Sequence, residues 1–176
     1  MEKFIKEWLS YIIIIVVVIL IRTYIVTPVI VRGDSMYSTL EDGEVLFLSK
    51  ITYRMEEIKR YDIVVVEDLD DDLIIKRVIG LPGDIVDYED GVLYINNEVV
   101  EDKYSDYIMD DFDVDTICEI NDLECDGVIP EDMYLVLGDN RRVSADSRVK
   151  GLIKKEQILG KTIFRIWPLN KISITK

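Results

Sequence analysis

Leu73-Ile74-Ile75-Lys76-Arg77-Val78-Ile79-Gly80 reads as a β-strand buried on both faces, except that a lysine interrupts it. Period-2 alternation groups Lys76 with Ile74 and Val78 and sends Arg77 to the opposite side. From the pattern alone, two accounts of this lysine stay open. It belongs to an edge strand or snorkels to water, or it is held dry as a base. The second account has a clear requirement: a reference pKa near ~10.4 must fall by about 2 to 4 units, which desolvation in an apolar strand can achieve.

Outward from this stretch the pattern repeats. Glu44–Ser49, Asp62–Val66, Val92–Ile95, Met133–Leu137 and Thr162–Ile166 are short apolar or alternating runs, expected as strands. Asp42-Gly43, Pro82-Gly83-Asp84, Asp90-Gly91, Asn96-Asn97 and Asp126-Gly127 separate them with turn chemistry. The expected fold is mainly β, an antiparallel domain over residues 25–176.

Residues 1–24 differ. Trp8 to Ile21 reads WLSYIIIIVVVILI, and Phe4 and Ile5 extend the apolar character back across Lys6 and Glu7. Phe4 to Ile21 as a helix spans about 27 Å at ~1.5 Å per residue, close to a hydrocarbon core of ~30 Å. One N-terminal transmembrane helix is therefore expected, amino terminus inside. A removable secretory signal is the competing reading, but Arg22-Thr23-Tyr24-Ile25-Val26 offers no small-x-small cleavage site, and Ala145 is the only alanine in the chain.

The 176 residues carry 21 Lys plus Arg against 35 Asp plus Glu, a formal charge of −14, so nucleic acid is not an expected partner. Zero histidine excludes Ser-His-Asp and Cys-His catalysis and every imidazole metal site. Eleven of the acids fall between Glu101 and Gly127, opposed by Lys103 alone, and an acidic insertion at about 95–130 is expected as a solvated loop. Asp111-x-Asp113-x-Asp115 invites a calcium-loop reading, but Thr116 stands where that loop needs glycine. Cys118 and Cys125, with six residues between them, fit neither zinc-ligand nor redox spacing; they are free or disulfide-bonded, and oxidised pairs persist outside the cytosol.

Two further stretches carry chemistry. In Val31-Arg32-Gly33-Asp34-Ser35-Met36-Tyr37-Ser38-Thr39-Leu40, Gly33 allows a tight corner just before Ser35, although a serine in a turn is most often only a turn residue. Val136-Leu137-Gly138-Asp139-Asn140 ends a strand, and Arg141 to Arg148 then crowds charged and hydroxyl side chains together, among them Ser144, Asp146 and Arg148.

Together with Arg60-Tyr61-Asp62-Ile63-Val64-Val65 and the continuation Leu81-Pro82-Gly83-Asp84, these stretches resemble, in the same order, the boxes of the bacterial type I signal peptidases, membrane-anchored Ser/Lys proteases. The resemblance implies a β catalytic domain with a repressor-peptidase-like core. It implies Ser35 as nucleophile, Lys76 as base, Ser144 on the lysine amine, and Asp146 with Arg148 as a supporting ion pair. The Ser35 N–H would hold the oxyanion. A second donor is left open, since some relatives carry a serine where this chain has Gly33. Val31, Met36, Leu40 and Ile75 resemble the lining of the substrate pockets. The implied substrate is an extended signal-peptide segment cut after a small-x-small site, with no cofactor, a lipid bilayer as the other partner, a monomeric state and an extracytoplasmic catalytic domain. One departure is Ser38, where the family usually has proline, and a less rigid loop is expected there.

Three other readings compete. Self-cleaving repressor-type peptidases would need a DNA-binding domain or cut site upstream. Penicillin-recognising S-x-x-K enzymes match Ser147–Lys150 and Ser173–Lys176, without their companion motifs. The third is a catalytically inactive, membrane-tethered binding module of the same fold.

Overall fold

The computed structural model describes residues 2–50, 57–68, 72–105 and 107–175, with side chains from Trp8 onward. Helix α1 (Glu2–Tyr24) leads directly into β1 (Val26–Ile30). Two antiparallel sheets follow. The larger runs, in spatial order, through β1, β2 (Val45–Ser49), β11 (Ile158–Trp167), β3 (Ile63–Glu67), β4 (Leu73–Gly80), β9 (Met133–Leu137) and β10 (Ile153–Lys154). Strand β12 (Ser173–Ile174) pairs with β11. The smaller sheet has the order β7 (Glu98–Val100), β6 (Val92–Ile95), β5 (Val86–Glu89) and β8 (Phe112–Asp113).

The antiparallel β expectation agrees with this architecture. Tight hairpins follow from the turn residues: Asp90 and Gly91 both take positive φ between β5 and β6, as do Asn96 and Asn97 between β6 and β7. Paired left-handed residues give the two-residue connection whose twist matches that of its strands.

Strand alternation distributes the apolar side chains among three cores. Ile63, Val65 and Ile75 face one that also holds Val31, Met36, Leu40, Leu46 and Leu48. Val64, Val66 and Val78 line another with Tyr134 and Val136, against which Ile74 packs. The third joins β4 and β9, through Ile79, Leu135 and Leu137, to the smaller sheet.

The acidic segment is not a solvated loop. It contributes β7 and β8 and a helix, α2 (Val114–Ile120), to which the Cys118–Cys125 disulfide is bonded. Met109, Phe112, Val114, Ile117 and Cys118 are buried in the third core, so apolar residues at spaced positions among the acids fold the segment onto the body. The acids take ordinary structural duties. Asp113 caps α2 by accepting from Thr116, and Asp115 accepts from the Gly127 N–H.

Among the described residues no helix is long and apolar enough to cross a membrane. The transmembrane helix expected from the sequence is not met by these residues alone. The described apolar run, Trp8–Ile21, covers only about 21 Å at ~1.5 Å per residue. The extension through Phe4 and the snorkelling of Lys6 concern side chains outside the described ones. Every apolar side chain from Trp8 to Ile21 is nonetheless exposed.

Candidate active site

Three segments converge at the end of β9. The first leaves β1 and returns to β2, closed by Val31 N–H to the Glu44 carbonyl (2.8 Å) and Gly43 N–H to the Val31 carbonyl (3.0 Å). Gly33 sits within it at φ +76°, a conformation glycine adopts without strain, and its N–H donates to Asp42 Oδ1 at 2.7 Å. Ser35 follows, half-buried, with no acceptor for its own N–H among the described residues. Further hydrogen bonds fix the loop: Tyr37 N–H to the Asp34 carbonyl, Leu40 N–H to the Met36 carbonyl, and Arg165 Nη1 to the Thr39 carbonyl.

The second segment is β4. Lys76 is 3% exposed, and among the described residues its amine makes no hydrogen bond or ion pair. It pairs in register with Val64 and shares the phase of Ile74 and Val78, which pack into an apolar core. Burial therefore dominates its electrostatics and pushes its pKa down to about 8. Asp146 pulls the value back up, and Lys150 and Arg148 push it further down. The lysine is thus held away from water and does not snorkel to the surface.

The third segment runs from Gly138 to Arg148. The Asn140 N–H donates to the Ser35 carbonyl at 3.0 Å, clipping this turn to the serine corner. A Cβ on Gly138 would collide with Ser144 Oγ and come within 2.5 Å of the Ser35 carbonyl oxygen, so these groups meet where the glycine leaves room. Ser144 Oγ is buried and has no hydrogen-bond partner among the described residues. Asp146 is 1% exposed and accepts from Arg148 Nε (2.8 Å), Arg148 Nη2 (2.9 Å) and the Gly138 N–H (3.0 Å). It also caps the short helix α3 (Ser147–Lys150). Arg148 in turn donates to the Arg141 carbonyl at 2.8 Å, which ties the turn's two ends together. Val31, Met36, Leu40 and Ile75 also come together, in one apolar cluster, with exposures of 2%, 1%, 1% and 7%.

The family model for "Signal peptidase, peptidase S26" matches residues 5–167. This chain belongs to that signal peptidase family. It is 39% identical over 181 residues to signal peptidase IB of Staphylococcus aureus (strain COL), with 97% of this chain and 94% of that protein covered. To signal peptidase I S of Bacillus subtilis (strain 168) it is 40% identical over 176 residues, covering 99% and 95%. Among solved structures, a crystal structure of a signal peptidase I from Enterococcus faecalis V583 superposes with a TM-score of 0.53 and 33% identity, covering 60% of this chain and 97% of that one. The chain is accordingly a hydrolase, a serine endopeptidase of the signal peptidase I type.

This signal peptidase also has site supports that the sequence reading did not assign. Arg77 and Asp139 form a bidentate pair, Nε to Oδ1 at 2.8 Å and Nη2 to Oδ2 at 2.7 Å, with both side chains fully buried. Arg77 also donates to the Tyr61 carbonyl at 2.9 Å and lies 3.6 Å from the centroid of the Tyr104 ring. The sequence signalled half of this pair: a guanidinium in a strand buried on both faces demands a carboxylate, but nothing in the sequence singles out Asp139 as that carboxylate. Arg141 chelates Asp102, and Lys150 pairs with Asp68; neither contact was foreseeable from spacing.

Proposed function

We propose that this protein removes signal peptides from exported preproteins, cutting after a small-x-small site with Ser35 as nucleophile and Lys76 as general base. The observation that carries the reading is the buried Lys76 amine, unpaired among the described residues, with a pKa of about 8. A lysine with an ordinary pKa is almost wholly ammonium near neutral pH and cannot accept the serine proton, whereas this one is a neutral amine in a useful fraction of molecules. Lys76 takes the Ser35 proton as the hydroxyl attacks the scissile carbonyl, then returns it to the leaving amine. Ser144, with its hydroxyl unpartnered, is suited to orient that amine, and the Asp146–Arg148 pair braces the turn that carries Ser144. The free Ser35 N–H supplies an oxyanion donor.

Substrate recognition follows from the sheet. Strand β9 pairs with Arg77, Val78 and Gly80 of β4, leaving Leu73–Lys76 without a partner on that side among the described residues. An extended peptide can add there, directed toward Lys76. Because Val31, Met36, Leu40 and Ile75 are already packed together, they offer an apolar skin with little depth, which favours small side chains at the first and third positions before the cut. The exposed apolar face of α1 supports a membrane tether, with the catalytic domain outside the cytosol, where a Cys118–Cys125 disulfide persists. The test is cleavage of an Ala-x-Ala preprotein by detergent-solubilised protein beside S35A and K76A. Cleavage by the wild type alone supports the assignment. Equal activity in either variant defeats it.

A further inference from the structure

A cleft of about 260 Å³ adjoins the nucleophile corner. One wall is Tyr37 and Ser38, just past Ser35. A second is Asn140, whose N–H holds the Ser35 carbonyl. The third comes from the acidic segment: Lys103, Tyr104 and Tyr107. At this size it falls below the roughly 300–1,000 Å³ of a cavity that encloses a whole ligand, and suits a subsite for part of a longer one.

The third wall is a built feature. Arg141 chelates Asp102, Tyr104 lies under the Arg77 guanidinium at 3.6 Å, and the Tyr104 and Tyr61 rings are 5.4 Å apart. The segment is thus clamped to the two arginines that organise the end of β9. Two residues of its lining, Asp139 and Tyr104, contact Arg77, the residue at which the unpaired edge at Leu73–Lys76 gives way to the β9 pairing. A peptide aligned on that edge before its cut site would continue into the cleft after it.

The charges there are unequally satisfied. Asp139 is neutralised by Arg77 and Arg141 by Asp102, whereas among the described residues Lys103 has only an exposed Glu101 at 3.9 Å. An available ammonium and the phenol groups of Tyr37 and Tyr107 form a donor-rich lining.

Resting on the assignment of Ser35 and Lys76, we infer that Lys103, Tyr104, Ser105 and Tyr107 form a subsite for the mature side of the substrate, one that favours a carboxylate side chain at the first or second position after the cut.

The test uses the full-length protein and paired preprotein peptides identical except for Glu or Lys at those two positions. Wild type is expected to cleave the Glu peptide with about 3-fold higher kcat/KM, the scale of a partly exposed ion pair. Lys103→Glu should abolish or invert the ratio, and Tyr107→Phe should reduce it. Lys154→Glu, at the Met133 end of β9 and away from the cleft, controls for net charge and should leave it unchanged. A wild-type ratio near 1, or equal shifts in the Lys103 and Lys154 variants, overturns the subsite. Failure of the wild type to cut either peptide would instead overturn the Ser35–Lys76 reading.

Discussion

Lys76 is held in the folded protein at a cost that pH should reveal. Its pKa is about 8 in place of the ordinary 10.5, so between those values the unfolded chain binds the extra proton. Stability must therefore rise with pH across that window, and below it the lysine costs about 3 kcal/mol, at 1.36 kcal/mol per pKa unit. Lys76→Met, similar in volume, is expected to abolish cleavage while making the protein more stable at pH 7. That gain should vanish above about pH 10.5. Denaturant melts of both proteins at pH 7 and pH 11 check this; an equal difference at the two pH values would mean the amine is not dry. The same pKa predicts that kcat/KM rises with pH to a plateau through an apparent pKa near 8, with no limb near ~6.5 in a protein lacking histidine. Lys76 was legible because a charge in an apolar strand is conspicuous. Asp139 was not, because an aspartate in a turn usually needs no partner, and only the fold brings it to Arg77, 62 positions away. Removing one member of that pair leaves the other charge buried, so Asp139→Ala should cost about 3–5 kcal/mol in a denaturant melt.

Among the elements, strands with clean alternation were readable and those loaded with acids were not. Glu44–Ser49, Leu73–Ile79 and Met133–Leu137 matched β2, β4 and β9 almost to the residue. Val86–Glu89 alternates two apolar positions with Asp87 and Glu89, and β7 is three residues long, so neither stood out from its surroundings. Helix α2 was hidden for a related reason: seven residues give too little periodicity, and the capping role of Asp113 is indistinguishable in sequence from that of a calcium ligand. At the end of β9, backbone shape matters more than side-chain chemistry. Gly138→Ala would drive a methyl group against Ser144 Oγ and the Ser35 carbonyl, forcing them apart. Overpacking of this kind costs about 1–3 kcal/mol, and misplacing a catalytic group by ~1 Å can cost 10²-fold in rate. The expected result is a folded protein with kcat/KM lowered at least ~10-fold; wild-type activity would mean that Ser35 and Ser144 need not meet at this glycine.

In the whole molecule, helix α1 and the body that carries the candidate site touch little. Helix α1 meets the body near β1, through Thr27 Oγ1 to the Arg22 carbonyl (3.0 Å) and Lys50 Nζ to the Thr23 carbonyl (3.5 Å), while its apolar side chains from Trp8 to Ile21 face away from any core. The three cores, the Arg77–Asp139 pair and every residue assigned to the reaction lie beyond Val26. If α1 is a tether, its contribution is effective concentration. A substrate held in the same bilayer by its own apolar segment meets the site as an almost intramolecular partner, an advantage of about 10²–10⁴ for linked binding events. Removing residues 1–24 should then leave hydrolysis of a short soluble peptide within about 3-fold of the full chain, since no catalytic contact is lost. Cleavage of a preprotein inserted in liposomes should fall by about 10² or more. Parallel assays of the two substrates decide it: equal losses on both would mean that α1 supports the fold of the active site, and no loss on either would mean that the bilayer plays no part in presenting the substrate.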